Sequence, residues 1–198
     1  GTAQFGTVVF EYYSDESLSA ESKLDGVPVN AGTYWLVAKV AAGEDYTSLT
    51  SAAVEFTVAK ATNSWTIQPS IEGWTYGEAA NTPVGAATYG TVVFEYYSDP
   101  NLSEASKLDG TPEDAGEYWI KAKVPESQNY NALEKYVGML RIEKADVKVQ
   151  QGPDAASANI GSLLSSVGIN GGKVVFEKTN ASGAVESVEV SGTWSWID

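Results

Sequence analysis

Any chemistry in this 198-residue chain would have to come from carboxylates, hydroxyls, lysines and indole rings, because it contains neither histidine nor cysteine. Without histidine the commonest general base, the Ser-His triads and imidazole metal sites are all removed. Without cysteine there can be no disulfide, thiolate metal ligand or thiol nucleophile. The 26 Asp and Glu residues could in principle include a glycosidase pair, which needs two carboxyl groups facing each other across a cleft. No acid stands in a sequence setting apolar enough to suggest a raised pKa. Two acidic clusters offer hard oxygen ligands of the kind calcium takes: Asp109, Glu113 and Asp114, and Asp15, Glu16 and Asp25. No spaced D-x-D-x-D loop accompanies them, so they read as solvated surface. Trp35, Trp65, Trp74, Tyr76 and Trp119 have flat faces suited to sugar rings or protein anchors, although packing is the preferred reading for most of them. Lys60, Lys144, Asn63 and Asn129 recur near strand ends, where a buried Lys, Asn and carboxylate would be needed for a covalent cross-link. The expectation is a non-enzyme with no catalytic, cofactor-binding or metal residues, and no ligand-binding residue can be singled out.

Composition narrows the partners. Twelve Lys and Arg against 26 acids leave a formal charge of −14, a field that repels phosphate backbones and anionic lipid surfaces. With 43% hydrophobic and 19% charged residues, the chain has the composition of a folded protein. No apolar run approaches the roughly 20 residues of a membrane-spanning helix, and the N-terminus lacks the basic-then-apolar pattern of a signal peptide. Neither nucleic acid nor membrane insertion is expected for this segment.

The elements that would position these residues are written twice. Residues 1–61 return at 85–145 without insertion or deletion, at a constant offset of 84, with about half of the positions identical. FGTVVFEYYSD (Phe5–Asp15) becomes YGTVVFEYYSD (Tyr89–Asp99), and KLDGVPVNAGTYWLVAKV becomes KLDGTPEDAGEYWIKAKV. A duplicated unit of this length suits reach or presentation better than chemistry. Period-two alternation runs through each strand candidate. In Thr91–Tyr97, Val92, Phe94 and Tyr96 face one way, and in Glu117–Val124, Tyr118, Ile120, Ala122 and Val124 face opposite Trp119, Lys121 and Lys123. Further strands are expected at Ser64–Gln68, Trp74–Tyr76, Tyr136–Glu143, Asp146–Gln150, Lys173–Lys178 and Val185–Val190, with at most one helical turn in Leu102–Leu108. Short strands separated by Gly, Pro, Asn and Asp turns read as an all-β sandwich.

Asp114-Ala115-Gly116-Glu117-Tyr118-Trp119-Ile120, matched by Asn30-Ala31-Gly32-Thr33-Tyr34-Trp35-Leu36, has the form of a tyrosine corner, in which a Tyr hydroxyl bonds back to upstream backbone. Ile120 and Leu36 stand where antibody domains place a cysteine. With the GTPEDAGEYWIKAKVPESQNYNAL stretch and the closing EKA, this pattern resembles the tandem bacterial Ig-like repeats of large secreted or wall-attached proteins. The resemblance covers residues 1–145. It implies immunoglobulin-like β-sandwich modules of roughly 84 residues, an extracellular, secreted or cell-wall-attached location, and a spacer or adhesion role in a stalk. The implied partners are neighbouring Ig-like modules and a host or cell-wall glycan or protein; the alternative role is a carbohydrate-binding module that uses exposed aromatic residues.

The expected organisation is an Ig-like repeat lacking its first strands at residues 1–60, a complete repeat at 61–144, and the first part of a divergent repeat at 145–198. Gly192–Trp196 resembles the GTVVFEY strand of the other units. Incomplete sandwiches leave apolar faces and strand edges open, so complementation between the first and third segments, within or between chains, is expected.

Overall fold

The computed structural model describes residues 3–180 and 182–197; residues 1, 2 and 198, at the ends of the expected segments, and Ala181 lie outside the described residues. The described chain is all-β, apart from 3₁₀ turns at Glu104–Ser106 and Leu164–Ser166. Its strands are β1 (Val8–Tyr13), β2 (Gly32–Val40), β3 (Leu49–Thr50), β4 (Val54–Val58), β5 (Trp65–Ser70), β6 (Trp74–Thr75), β7 (Val84–Ala87), β8 (Val93–Tyr97), β9 (Gly116–Val124), β10 (Leu133–Glu143), β11 (Lys148–Ala155), β12 (Ile169–Thr179) and β13 (Val185–Val190). The chain divides into two compact units. One comprises Gly1–Ser64, Ala87–Thr91 and Val124–Leu133; the other comprises Trp65–Ala86, Val92–Lys123 and Glu134–Asp198.

In the first unit β2 is central, with β1, β3 and β4 antiparallel to it. The period of two in VVFEYY and TYWLVAKV sends Tyr12, Tyr34 and Leu36 to one face and Tyr13 and Val37 to the other. Tyr13 and Val37 are buried, while Phe56 packs edge-on to Tyr12 and tilted against Tyr34. Leu36 is only half-buried.

In the second unit a sheet runs β6-β10-β9-β8, and β5 pairs with β7. β8 and β9 are antiparallel with Phe94 opposite Ala122, Glu95 opposite Lys121 and Tyr96 opposite Ile120. β6 lies parallel to β10. Gly73 admits that approach, since a Cβ there would land on the Arg141 carbonyl oxygen. Trp74, Tyr96, Ile120, Leu140 and Ile142 form the core, with Ile71, Phe94, Leu108, Tyr118 and Val137 packed against it. Phe94, Ile120 and Val124 thus lie on the expected face, with Ile120 and Val124 almost wholly buried.

The bond back from each corner tyrosine is present. Tyr118 Oη donates to the Asp114 carbonyl at 2.9 Å, and Tyr34 Oη donates to the Asn30 carbonyl at 2.9 Å. Burial, followed by the nearby Asp114 charge, holds the Tyr118 phenol above its usual range, so it stays a donor. Because a neutral hydrogen bond contributes about 0.5–1.5 kcal/mol, Tyr118→Phe should lower the urea unfolding free energy by about that amount. An unchanged midpoint would remove the corner from the list of stabilising contacts.

The second unit also contains the antiparallel sheet β11-β12-β13. β11 carries a register shift between Val149 and Gln151 and has Pro153 in its span. Phe176 packs against Tyr76 with ring centroids 5.3 Å apart, and Thr179 N–H donates to the Gly77 carbonyl at 2.6 Å. Gly192–Trp196, expected to resemble a strand, is not one. The segment instead places Trp196, whose Nε1–H donates to the Val167 carbonyl at 3.0 Å.

Candidate functional site

Most of the unusual side-chain chemistry sits on the β8–β9 face opposite the core. Alternation sends Glu95 and Tyr97 there, and the strand register brings Lys121 and Lys123 alongside. The loop after β8 doubles back through Ser98 N–H to the Ser106 carbonyl and Leu108 N–H to the Tyr96 carbonyl, which delivers Lys107. Glu95 Oε1 is 2.5 Å from both Lys107 Nζ and Lys123 Nζ, while Oε2 accepts from Tyr97 Oη at 3.0 Å and lies 3.8 Å from Lys121 Nζ. Glu95 is 6% exposed and Tyr97 is wholly buried.

Burial by itself would raise the Glu95 pKa. Hydrogen bonds from Lys107, Lys123 and Tyr97 outweigh it and hold the carboxyl at about 2. Tyr97 is pushed up to about 12 by burial and then by its bond to Glu95. A carboxylate this acidic, with its lone pairs already occupied, is a poor proton donor or acceptor near neutrality. It acts as a pin that ties the 98–107 loop to the sheet through one carboxylate shared by several lysines.

The same group occurs 84 residues earlier. Glu11 Oε1 is 2.6 Å from Lys23 Nζ, its Oε2 is 2.6 Å from Lys39 Nζ, and Tyr13 Oη donates to Oε2 at 2.7 Å. Lys23, then Lys39 and Tyr13, lower its pKa to about 2. Val37 replaces Lys121, so this copy has two lysines instead of three. Glu95 is thus a buried acid whose pKa is lowered rather than raised. Its burial beside Tyr97 is not legible in the alternation of VVFEYY, which places both on the outward face.

The acidic residues weighed as calcium ligands are not gathered. Among the described residues, no group of three or more Asp or Glu is placed to hold a metal ion. Asp15 accepts from Ser17 N–H, and Asp99 accepts from Asn101 N–H and Ser103 Oγ. These bonds stabilise tight turns; the Ser17 hydroxyl and N–H lower the Asp15 pKa, and the Ser106 and Ser103 hydroxyls, then Asn101 N–H, lower that of Asp99. Glu113 and Asp114 line an open 310 Å³ cavity with Trp74, Tyr76 and Lys178.

Of the five flagged aromatics, Trp74 is in the core and Trp35, Trp65, Tyr76 and Trp119 are half-buried. None belongs to an exposed row. Exposed rings lie elsewhere, at Phe5, Phe10, Tyr46, Tyr89, Tyr136, Trp194 and Trp196.

Three of the Lys and Asn residues weighed for a covalent link, Lys60, Asn63 and Asn129, find other partners. Lys60 Nζ pairs with Glu126 and donates to the Ser127 carbonyl; Asn63 Nδ2 donates to the Tyr89 carbonyl at 2.8 Å. Asn129 instead joins two segments far apart in the chain. Its Oδ1 accepts from Ala31 N–H at 2.8 Å and its Nδ2 donates to Asn30 Oδ1 at 3.0 Å, while Gln128 Nε2 donates to the Ala31 carbonyl at 2.8 Å. Ala31 is buried by this contact. A pairing 98 residues apart in sequence leaves no local trace. No protein-family model, curated protein or solved structure matches the chain.

Proposed function

We propose that the chain is a non-catalytic spacer or adhesion segment made of tandem immunoglobulin-like repeats, working outside the cell in a secreted or wall-attached protein. Its mechanism is mechanical: folded repeats in series set a distance and a stiffness. The observation that carries this reading is the return, at the offset of 84 residues, of one antiparallel strand pair with its corner tyrosine and lysine-bonded glutamate, Tyr34 and Glu11 in one copy, Tyr118 and Glu95 in the other.

The immunoglobulin-like assignment is supported by the β6-β10-β9-β8 order, by the parallel β6–β10 pair, and by the corner tyrosines. The role as a passive element is supported by carboxylates held near pKa 2 by lysines, which suits scaffolding better than catalysis.

Because the chain has no cysteine, spin labels can be placed at will. With labels at Thr33 and Glu117, the same exposed position of the two repeats, a stiff series should give a single narrow distance distribution. A broad or multimodal distribution would dismiss the stiff-spacer mechanism. The same chain on a glycan array should give no signal. Reproducible binding that Trp119→Ala abolishes would replace the spacer with a carbohydrate-binding module.

A further inference from the structure

Of the nine asparagines in the chain, Asn170 alone is followed by glycine, and it stands at a break in β12. Gly171 and Gly172 have φ values of +68° and +82°, a region that glycine enters freely and residues with a side chain rarely do. A Cβ on Gly172 would meet Trp194 Nε1 at 2.4 Å, whereas a Cβ on Gly171 would meet nothing within 4 Å. There is open space, therefore, around the peptide bond that joins Asn170 to Gly171.

The strand ladders leave the Gly171 N–H unused. Bonded and non-bonded pairs alternate along two antiparallel strands. Ala156 N–H donates to the Gly168 carbonyl at 2.9 Å, and the unbroken register from that pair makes Asp154–Asn170 a bonded pair and Pro153–Gly171 a non-bonded one. The Gly171 N–H thus points away from β11. On its other side the β12–β13 ladder ends at Val174 opposite Val190, and no loop or turn carbonyl takes the group up among the described residues. The Asn170 side chain is equally unencumbered. It is exposed, the residues two before and two after it are glycines, and its diagonal neighbours on β11 are Gly152 and Ala156. Asn63, Asn81, Asn129 and Asn180 each commit their side-chain amide to hydrogen bonds.

We propose that Asn170-Gly171 is a self-modifying site, at which the chain deamidates without an enzyme and so loosens its own β11 edge. The Gly171 nitrogen attacks Asn170 Cγ, a new N–Cγ bond forms, the Cγ–Nδ2 bond breaks, and ammonia leaves with the displaced proton. Water, the only co-reactant, then opens the five-membered imide at either carbonyl to give aspartate or isoaspartate. Asp154 lies directly opposite Asn170, and like charges opposite one another destabilise a strand pair. Isoaspartate also adds a methylene to the main chain, which displaces the register beyond it. β11 pairs with β12 alone, so no second ladder holds it in place.

The test keeps the full chain at neutral pH beside a free peptide of residues 166–175, both sampled over weeks by peptide mass spectrometry. An amide-to-acid mass gain is expected at Asn170 within about tenfold of the peptide's rate, because no local opening has to precede attack. At the buried, bonded Asn63-Ser64 pair, which must open first, the gain should be at least about tenfold slower than at Asn170. A folded-state rate about a hundredfold below the peptide's, the mark of a strand that shields the site, would overturn the inference. A gain no faster than at Asn63 would do the same. Asn170→Asp should speed hydrogen exchange of the β11 amides at least about fivefold and leave those of β8 and β9 unchanged. Asn170→Gln, which closes the larger imide ring reluctantly, should leave both mass and exchange as in the parent. Unchanged β11 exchange in Asn170→Asp, or equal acceleration in Asn170→Gln, would overturn the loosening of the edge.

Discussion

Ile120→Ala is expected to lower the unfolding free energy by about 2–5 kcal/mol, the usual cost of truncating a fully buried aliphatic side chain and leaving a partly unrelaxed cavity. Ile120 has no exposed surface and sits among Trp74, Tyr96, Leu140 and Ile142. The cavity cannot close easily, because those residues are anchored on β6, β8 and β10, whose register is set by the backbone ladder. Leu36→Ala, 84 residues earlier, should cost well under half as much, since Leu36 is half-buried and less apolar surface is uncovered by its loss. Urea denaturation read by tryptophan fluorescence gives both numbers. Equal costs would mean that the two faces are equally enclosed in solution, and a cost below 1 kcal/mol for Ile120→Ala would contradict the packing of the core.

Glu95→Gln should cost about 1–3 kcal/mol, because it leaves lysine ammonium groups and the Tyr97 hydroxyl without their shared acceptor charge. Breaking a fully buried ion pair usually costs more. Here Lys107 and Lys123 remain about one-third exposed and can recover water. The pH dependence separates this loss from simple packing. The folded carboxyl titrates at about 2 against an ordinary 4.5. Between these values the unfolded chain binds more protons, so the contribution is fully present above pH 4.5 and disappears as the pH falls through 2. The melting temperature of the parent should therefore fall over that interval, and Glu95→Gln should flatten the fall without abolishing it, since Glu11 also titrates at about 2. At the alkaline end, Tyr97, raised to about 12, contributes stability that is complete below pH 10 and lost toward 12. Parallel acid profiles for parent and variant would rule out the pin.

Legibility in the sequence follows the range of the interaction. Strands β8 and β9 announce themselves by alternation, and the corner tyrosines by a seven-residue pattern. Val84–Ala87 pairs as β7 although V-G-A-A shows no alternation; its small residues are needed because a Cβ at Gly85 would sit 3.2 Å from the Phe94 ring. Gly192–Trp196 shares letters with a true strand but has no ladder partner among the described residues, and letters alone do not make a sheet. The pin was half legible. Glu95, Lys121 and Lys123 share an outward face by spacing, but Lys107 arrives only because the 98–107 loop returns. The Asn129 clamp depends on a contact 98 residues apart in sequence, for which no periodicity exists.

The register shift and Pro153 in β11 have a consequence for crowded surroundings. An exposed strand edge invites another chain to extend the sheet, and such growth requires a straight row of free donors and acceptors. β11 interrupts that row twice, once by the shift at Val149–Gln151 and once by the missing N–H of Pro153. At the opposite edge β13 carries Glu186 and Glu189, whose like charges oppose a second β13 aligned against them. Many copies held side by side at high local density would therefore resist fusing into fibrils along this sheet.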